Sequence, residues 1–484
     1  VASVRNVDLN KLNFVSRDSI SLFKGNITAD MSGNSLYKLA GEMNFRRTSY
    51  TNQNDSYYFE DFTITSEFVD QEHIISINSP DIITGSLRGN YHIRELGHII
   101  KNSIGSIYTN YNPEPVAPGQ YVDFDFKIYN KIVGVFFPQL EFGSNTSIRG
   151  SVDADQEDFQ LNFSSPKISA SGNEFDHIQI EIDNKNPLYN TFIEVSDIES
   201  NIYDVSDFRL INTKIDDTLF FRTEFKGGNQ FDDIYNLNFF HTFNDKQESV
   251  IGLKRSRLGF KGRDWIINAN NNTDNKVSFS RTLDTVNISQ VVMNYKEEQI
   301  RLEGMLIDST YKDVDLEFEN VTLDKILPDI DSLKLDGKVD GYVNILQRNK
   351  IYTPSSNVKI SDFAVNDLPM GNLFLSILGN QDLTHFGVNA KIVEDSKETL
   401  NILGDINADP NTTLVDLKGH LDNLNLEILS PLGADVISNI RGYASGDFRI
   451  TGELGNPQMS GMLQIQDGGL NIPYLNVDMN MPKL

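Results

Sequence analysis

An alternation of apolar and polar residues with a period of two runs through most of this 484-residue chain, and it limits the possible folds more than any other feature. The stretch "HIQIEID" places Ile178, Ile180 and Ile182 on one side and Gln179, Glu181 and Asp183 on the other. "FQLNF" repeats this with Phe159, Leu161 and Phe163, and "DFDFKI" with Phe124, Phe126 and Ile128. The pattern returns at Val358 and Ile360, Leu373 and Leu375, Val415 and Leu417, Phe448 and Ile450, and Leu463 and Ile465. Successive strand residues point to opposite faces, so these stretches read as strands of roughly ten residues with one apolar face each. The chain is therefore expected to be all-β.

Three segments depart from the alternation. "IRELGHIIKNSIGSIY" spaces Leu96, Ile99, Ile100 and Ile104 as a helix would, and "VTLDKILPDI" does so with Leu323, Ile326, Leu327 and Ile330. "LEILSPLGADVISNI" places Leu429, Leu432, Val436, Ile437 and Ile440 similarly, although Pro431 and Gly433 would break a helix there. These read as short amphipathic caps over sheet edges or core. Asp336-Gly337, Asp340-Gly341 and Ser171-Gly172 have the composition of turn pairs, and the Asn-rich "NANNNTDNK" reads as a loop.

The C-terminal part contains a repeat. At a shift of about 105 residues, Gly337 falls on Gly442, Gly341 on Gly446, Val343 on Phe448 and Ile345 on Ile450. Upstream, Val321, Leu323 and Leu327 fall on Leu426, Ile428 and Leu432; downstream, Val358, Ile360 and Asp362 fall on Leu463, Ile465 and Asp467. "GSLRGNYHI", from Gly85, resembles a weaker third copy. The glycines mark where each strand of the unit turns or bends, as do Gly452, Pro457 and Gly461 in the second copy. The expected organisation is a strand segment over 1–90, a helix-containing insertion with strands over 91–142, and a further strand segment over 143–320. A helix-plus-strand unit follows over 321–425, with its second copy over 426–484.

Sheets with one apolar face must have that face covered. A closed barrel, a sandwich or a solenoid covers it with protein, whereas a long sheet curled into a trough leaves a lined channel for another molecule.

Composition narrows the chemistry. The 68 acidic residues outnumber the 42 basic ones, giving a net charge of −26, and no basic patch interleaved with aromatics is present, so nucleic acid is not an expected partner. There is no cysteine, which removes disulfides, thiolate metal sites and Cys nucleophiles together. No run of about 18 apolar residues occurs; "KIVGVFFPQL" is among the most apolar stretches and contains Pro138. His73, His92, His98, His177, His241, His385 and His420 are scattered without metal-ligand spacing. No P-loop, G-x-G-x-x-G or G-x-S-x-G motif is found. "SVDADQED" resembles half a calcium loop, lacks the glycine and closing glutamate, and reads as a solvated loop. No catalytic residue, metal or cofactor is assigned.

The stretch "RGYASGDFRITGELGNPQMSGMLQIQDGGLNIPYLNV" resembles the C-terminal region of the TamB family, the translocation and assembly module proteins of the AsmA-like group in diderm bacteria. The matching features are Gly442, Gly446, "ITG" at 450–452, "GNP" at 455–457, Gly461, and Gly468-Gly469 before "LNIPYLNV". The middle section, "TSIRGSVDADQEDFQLNFSSPKISASGNEFDHIQIEID", is similar to the long form found in Bacteroidota. The resemblance implies an elongated repeat array of strands curled into a U-shaped apolar trough, the β-taco, with a few short amphipathic helices. It further implies a periplasmic location, an inner-membrane anchor lying before this interior-to-C-terminal section, and an Omp85-type outer-membrane partner. The implied function is a bridge moving phospholipid between inner and outer membranes through the groove; the alternative is a chaperone or scaffold in outer-membrane protein assembly. A structural β-solenoid with its apolar faces in mutual contact is a third reading. Under the first, the apolar residues from Phe124 to Ile465 named above line the lipid path.

Overall fold

The structure, a computed structural model, describes residues 2–12, 15, 17–34, 38–200, 203–228, 231–327, 334–348, 351–380, 384–408, 413–433 and 436–483. It is nearly all β, with 68% of residues in strands and 6% in helix. The expected fold class is therefore found. The chain divides into two compact units, Val1–Phe243 and Asn244–Leu484.

In the first unit most strands pair antiparallel with the next; the short strand Leu140–Phe142 instead pairs with Asp158–Ala170. Leu22–Ser32 lies beside Ala40–Thr51, along which Ser56–Phe59 and Phe62–Val69 are arranged in turn. From Phe62–Val69 the ladder passes through Glu72–Asn78 and Ile83–Asn90 to Tyr121–Ile128 and Thr146–Asp153. It continues through Asp158–Ala170, Asn173–Asp183, Thr191–Glu199, Val205–Ile215 and Thr218–Gly227 to Asp233–Phe243. Short connections between antiparallel strands are what a period-two sequence with local turn signals produces. Ser171-Gly172 is such a turn, with φ of 51° and 83°.

Two helices bracket this sheet. Helix α1 (Leu96–Ser106) arises from the segment of helical spacing and buries Ile99 and Ser103. Ile99 packs with Val122, Val152 and Phe159 at one margin of the sheet. Glu95, at its N-terminus, accepts hydrogen bonds from the Ala117 amide (3.0 Å) and the Gln120 side chain (2.6 Å), which ties down the returning segment. Helix α2 (Asn130–Phe136) forms from the apolar "KIVGVFFPQL", where no helix was expected, and leaves Val133 and Val135 buried. The Tyr57 hydroxyl donates to the Gly134 carbonyl at 2.8 Å, and Arg17 donates to that of Val135 at 2.7 Å. Arg17 also pairs with buried Asp18, whose carboxyl it holds down at about 2.

The second unit is a ladder of the same kind. Ser249–Leu253 pairs with Lys276–Phe279, and Ser256–Phe260 with Arg263–Ile267. Both lead to Thr285–Tyr295, then Glu298–Ile307, Tyr311–Thr322, Leu335–Arg348 and Ile351–Val365. The series ends through Leu368–Gly379, His385–Glu394, Lys397–Ala408, Thr413–Asn425 and Ser438–Glu453 to Asn456–Ile472 and Val477–Lys483.

The second and third segments of helical spacing become 3-10 turns, Leu323–Lys325 and Leu426–Gly433. Ile330 lies outside the described residues, and Ile440 belongs to the strand Ser438–Glu453. Pro431 lacks an amide donor, consistent with the tighter, shorter turn around it.

The repeat is structural. A 3-10 turn followed by two long strands recurs as Leu335–Arg348 with Ile351–Val365 and as Ser438–Glu453 with Asn456–Ile472. Asp362 and Asp467 occupy equivalent left-handed positions, with φ of 51° and 52°. One local reading is corrected. Asp336-Gly337 and Asp340-Gly341 are not turns but lie inside the strand Leu335–Arg348. Gly341 and its equivalent Gly446 have φ of 130° and 135°, and a Cβ would meet a neighbouring carbonyl oxygen at 2.1 and 2.3 Å. Close backbone approach, not chain reversal, requires glycine there.

Candidate functional site

Strand register converts the alternation into continuous rows of side chains. In the first unit one row runs from Met43 through Ile64, Ile77 and Gly85 to Phe126. It continues through Ile148, Phe163, Ile180 and Ile193 to Leu210, so successive strands place apolar residues side by side. The neighbouring row on the same face holds Leu87, Phe124, Leu161 and Ile182. The residues singled out in this unit, Phe124, Phe126, Ile128, Phe159, Leu161, Phe163, Ile178, Ile180 and Ile182, all belong to this face. Phe159 and Ile178 are buried; the other seven are only half-buried.

The second unit has the same construction. Val358, Leu375 and Phe448 fall in one row, and Leu417 and Ile450 in the next. Ile360, Leu373 and Leu463 fall in a third, with Val415 and Ile465 on the same face beyond them. Ile360 and Val415 are buried and the remaining eight half-buried. Gly419 lies opposite Phe448, whose ring occupies the place its Cβ would take. At Gly419, therefore, a neighbour's ring covers the position and the apolar surface is not interrupted there.

Deep burial is found at a margin. Val321, Val339, Ile360, Ile392 and Leu421 share one row and pack with Trp265, Leu323 and Leu424. Beside them Glu298, 4% exposed, accepts from Arg263 (2.6 Å), Lys338 (3.1 Å) and the Thr322 hydroxyl (2.7 Å). Burial pushes its pKa up, but Thr322, Lys338 and Arg263 together hold it below the usual carboxylate value. Bulges at this margin place Asn320, Asp362 and Asn423 at φ of 52°, 51° and 57°, bending the strands beside the 3-10 turns.

The opposite face is mainly polar, although Phe192, Ile211, Leu378 and Leu403 lie on it. Ion pairs such as Arg209–Glu194 (2.8 Å) and Arg449–Asp416 (2.6 Å) lie across adjacent strands there. Exposed pairs contribute little to stability, but their position marks the face turned to water.

Polar residues enter the apolar face at few places. Thr223 follows Leu210 in the first row, and Asn212 lies opposite Thr191 in the second. Asn212 is 5% exposed and its Nδ2 has no partner. His73 is stacked between Phe68 and Tyr91 with its Nε2 2.8 Å from the Ser66 hydroxyl, and burial pushes its pKa down. The alternation revealed none of these polar breaks, because a row becomes visible only when register is known. His92, His98, His385 and His420 pair instead with the carboxylates of Glu95, Glu114, Asp405 and Asp447. "SVDADQED" forms the hairpin between Thr146–Asp153 and Asp158–Ala170, with Asp153 Oδ1 accepting from the Asp155 and Gln156 amides. Among the described residues no group of three or more His, Cys, Asp or Glu is placed to hold a metal ion, and no helix is long and apolar enough to cross a membrane.

The arrangement offers an apolar, laterally continuous surface without directional bonding groups over most of its length. No family model matches the chain, and no curated protein matches it significantly in sequence.

Proposed function

We propose that this chain is a carrier of phospholipid acyl chains, and that the apolar rows are their path. The supporting observation is the row from Met43 to Leu210, apolar at every strand it crosses except Gly85 and only half-buried. Exposing an acyl chain to water costs about 0.8 kcal/mol per methylene, or roughly 12 kcal/mol for a chain of about 16 carbons. A lining of Ile, Leu, Val and Phe removes most of that cost. Because apolar contact is non-directional, a chain can slide from strand to strand without breaking specific bonds. The proposed setting follows from the resemblance: the periplasm, anchorage in the inner membrane by a preceding segment, an Omp85-type partner at the outer membrane, and phospholipid passing between the two. In this reading the protein is a conduit and performs no bond-making chemistry.

Native mass spectrometry of the purified chain tests the proposal. Phospholipid adducts released by Ile180→Arg are the expected result; a lipid-free chain that takes up none from vesicles would overturn it.

A further inference from the structure

The hairpin of Phe62–Val69 and Glu72–Asn78 closes over a buried histidine. His73 is 4% exposed, with the centroid of the Phe68 ring 4.2 Å away on one side and that of Tyr91 5.4 Å away on the other. Its hydrogen bonds fix its tautomer. The Ser66 hydroxyl donates to the Leu39 carbonyl at 2.6 Å, so it accepts from His73, and the single ring proton sits on Nε2. Nδ1 is then a bare acceptor, buried and without a partner among the described residues. A second proton placed there would meet no acceptor, and an unpaired buried cation is costly.

The surrounding charges do not offset that cost. The wall of an adjoining cavity of about 820 Å³ carries Lys38, Tyr91, His92, Arg94 and Glu95. Glu95, its only carboxylate among the described residues, is taken up by the Ala117 amide and the Gln120 side chain. Lys38 and Arg94 repel a further cation. Glu67, Glu72 and Arg88 flank His73 in the ladder but alternate to the opposite face, where Glu72 and Arg88 pair. Asp70 lies in the hairpin turn, at φ of 56°.

The tip covering the imidazole is weakly held. Phe62–Val69 pairs with Ala40–Thr51 only as far as Ser66, so among the described residues 67–69 have a ladder on one side alone. Phe68 and Val69 are 46% and 48% exposed. Tyr91, across the imidazole, packs with Ile99 and Val122 beneath α1.

We propose that His73 is an acid-operated latch. On taking a proton from solvent the imidazole leaves its sandwich, and the hairpin tip opens together with the segment 91–95 that leads into α1. The device does not depend on what the apolar face carries.

Hydrogen exchange of the full chain tests it. An imidazole freed to water titrates near its ordinary value, about 6.5, so the opening equilibrium rises roughly thirtyfold between about pH 7.5 and pH 5. Protection of the amides in 66–73 and 91–95, corrected for intrinsic exchange, is expected to fall by that factor while α2 keeps its own. In His73→Phe the ring still stacks and Ser66 still bonds to Leu39, so protection there should not vary with pH. Phe68→Ala strips the half-exposed cover, lets the imidazole protonate in place and should also bring the factor close to one; it decides the matter if the first variant does not fold. His92→Gln, which removes the exposed neighbouring imidazole, should keep the full fall. A wild-type fall below about fivefold, or one shared equally by α2, would overturn the latch. So would an undiminished fall in His73→Phe or Phe68→Ala, or its loss in His92→Gln.

Discussion

Replacing Ile180 by arginine should slow transport about a hundredfold without unfolding the protein. Ile180 sits in the row between Phe163 and Ile193 and is half-buried, with its side chain on the apolar face. Losing it forfeits about half the burial energy of an isoleucine, roughly 1 kcal/mol, and the arginine stem can still lie along neighbouring apolar surface. Passage is affected far more. A sliding acyl chain must leave the lining over about one strand spacing, ~4.8 Å, or roughly four methylenes. At about 0.8 kcal/mol each this adds ~3 kcal/mol to the barrier, a slowing of about a hundredfold. The assay is fluorescent lipid transfer between vesicles, with folding checked by circular dichroism. Gln179→Arg is the matched control, since Gln179 is exposed on the opposite face and already bonds to Glu181. Transfer at the wild-type rate by folded Ile180→Arg, or equal slowing by Gln179→Arg, would refute the reasoning.

Two further outcomes concern the scaffold. Gly446→Val should destabilise the second unit by about 3 kcal/mol, through a strained φ and a clash with the Met462 carbonyl, lowering its melting temperature by roughly 6–12 °C. Gly455→Ala, where a Cβ meets nothing, should leave the melting temperature unchanged. The first unit should lose stability as pH falls through the imidazole range. Burial pushes His73 and His241 below their ordinary value, so below about pH 6.5 the unfolded chain binds more protons than the folded one. This contribution is fully present above the unfolded pKa and is lost as pH falls toward the folded values. Melting temperatures recorded between about pH 5 and 7.5 should slope upward in the wild type and flatten in the His73→Phe, His241→Phe double variant.

The faces of the strands were legible in the sequence because strand geometry has a period of two: Ile178, Ile180 and Ile182 lie on one side in any strand, whatever it pairs with. The 105-residue recurrence was legible for a similar reason, since Asp362 and Asp467 need the same left-handed backbone in both copies. What depends on register was not legible. Nothing local distinguishes Asn212 from other asparagines in strands; only the pairing with Thr191 and Phe221 puts it among apolar neighbours. The Asp-Gly pairs in Leu335–Arg348 misled because a turn signal two residues long is outweighed by a ladder extending over the whole strand. Helix α2 escaped notice because its apolar residues form a short continuous run, which periodicity cannot assign; its place is fixed by the distant contacts of Gly134 with Tyr57 and of Val135 with Arg17.

The distribution of burial separates folding from carrying. The most deeply buried apolar side chains, Ile99, Trp265, Val321 and Ala444, lie under α1 or in the marginal cluster beside the 3-10 turns, at 1%, 1%, 0% and 0% exposure. Removing volume there leaves a cavity as well as lost transfer energy, so Trp265→Ala would cost about 3–5 kcal/mol. Row residues such as Ile180, Leu417 and Ile450 have solvent on one side and contribute correspondingly less. A surface arranged in this way can vary along its lining, in polarity and in side-chain volume, while the margins and the backbone ladder keep the sheet intact. Asn212 and Thr223 depart from this pattern: both are buried within the apolar face, at 5% and 6% exposure, and Thr223 is accommodated by donating its hydroxyl to the Arg209 carbonyl at 2.9 Å.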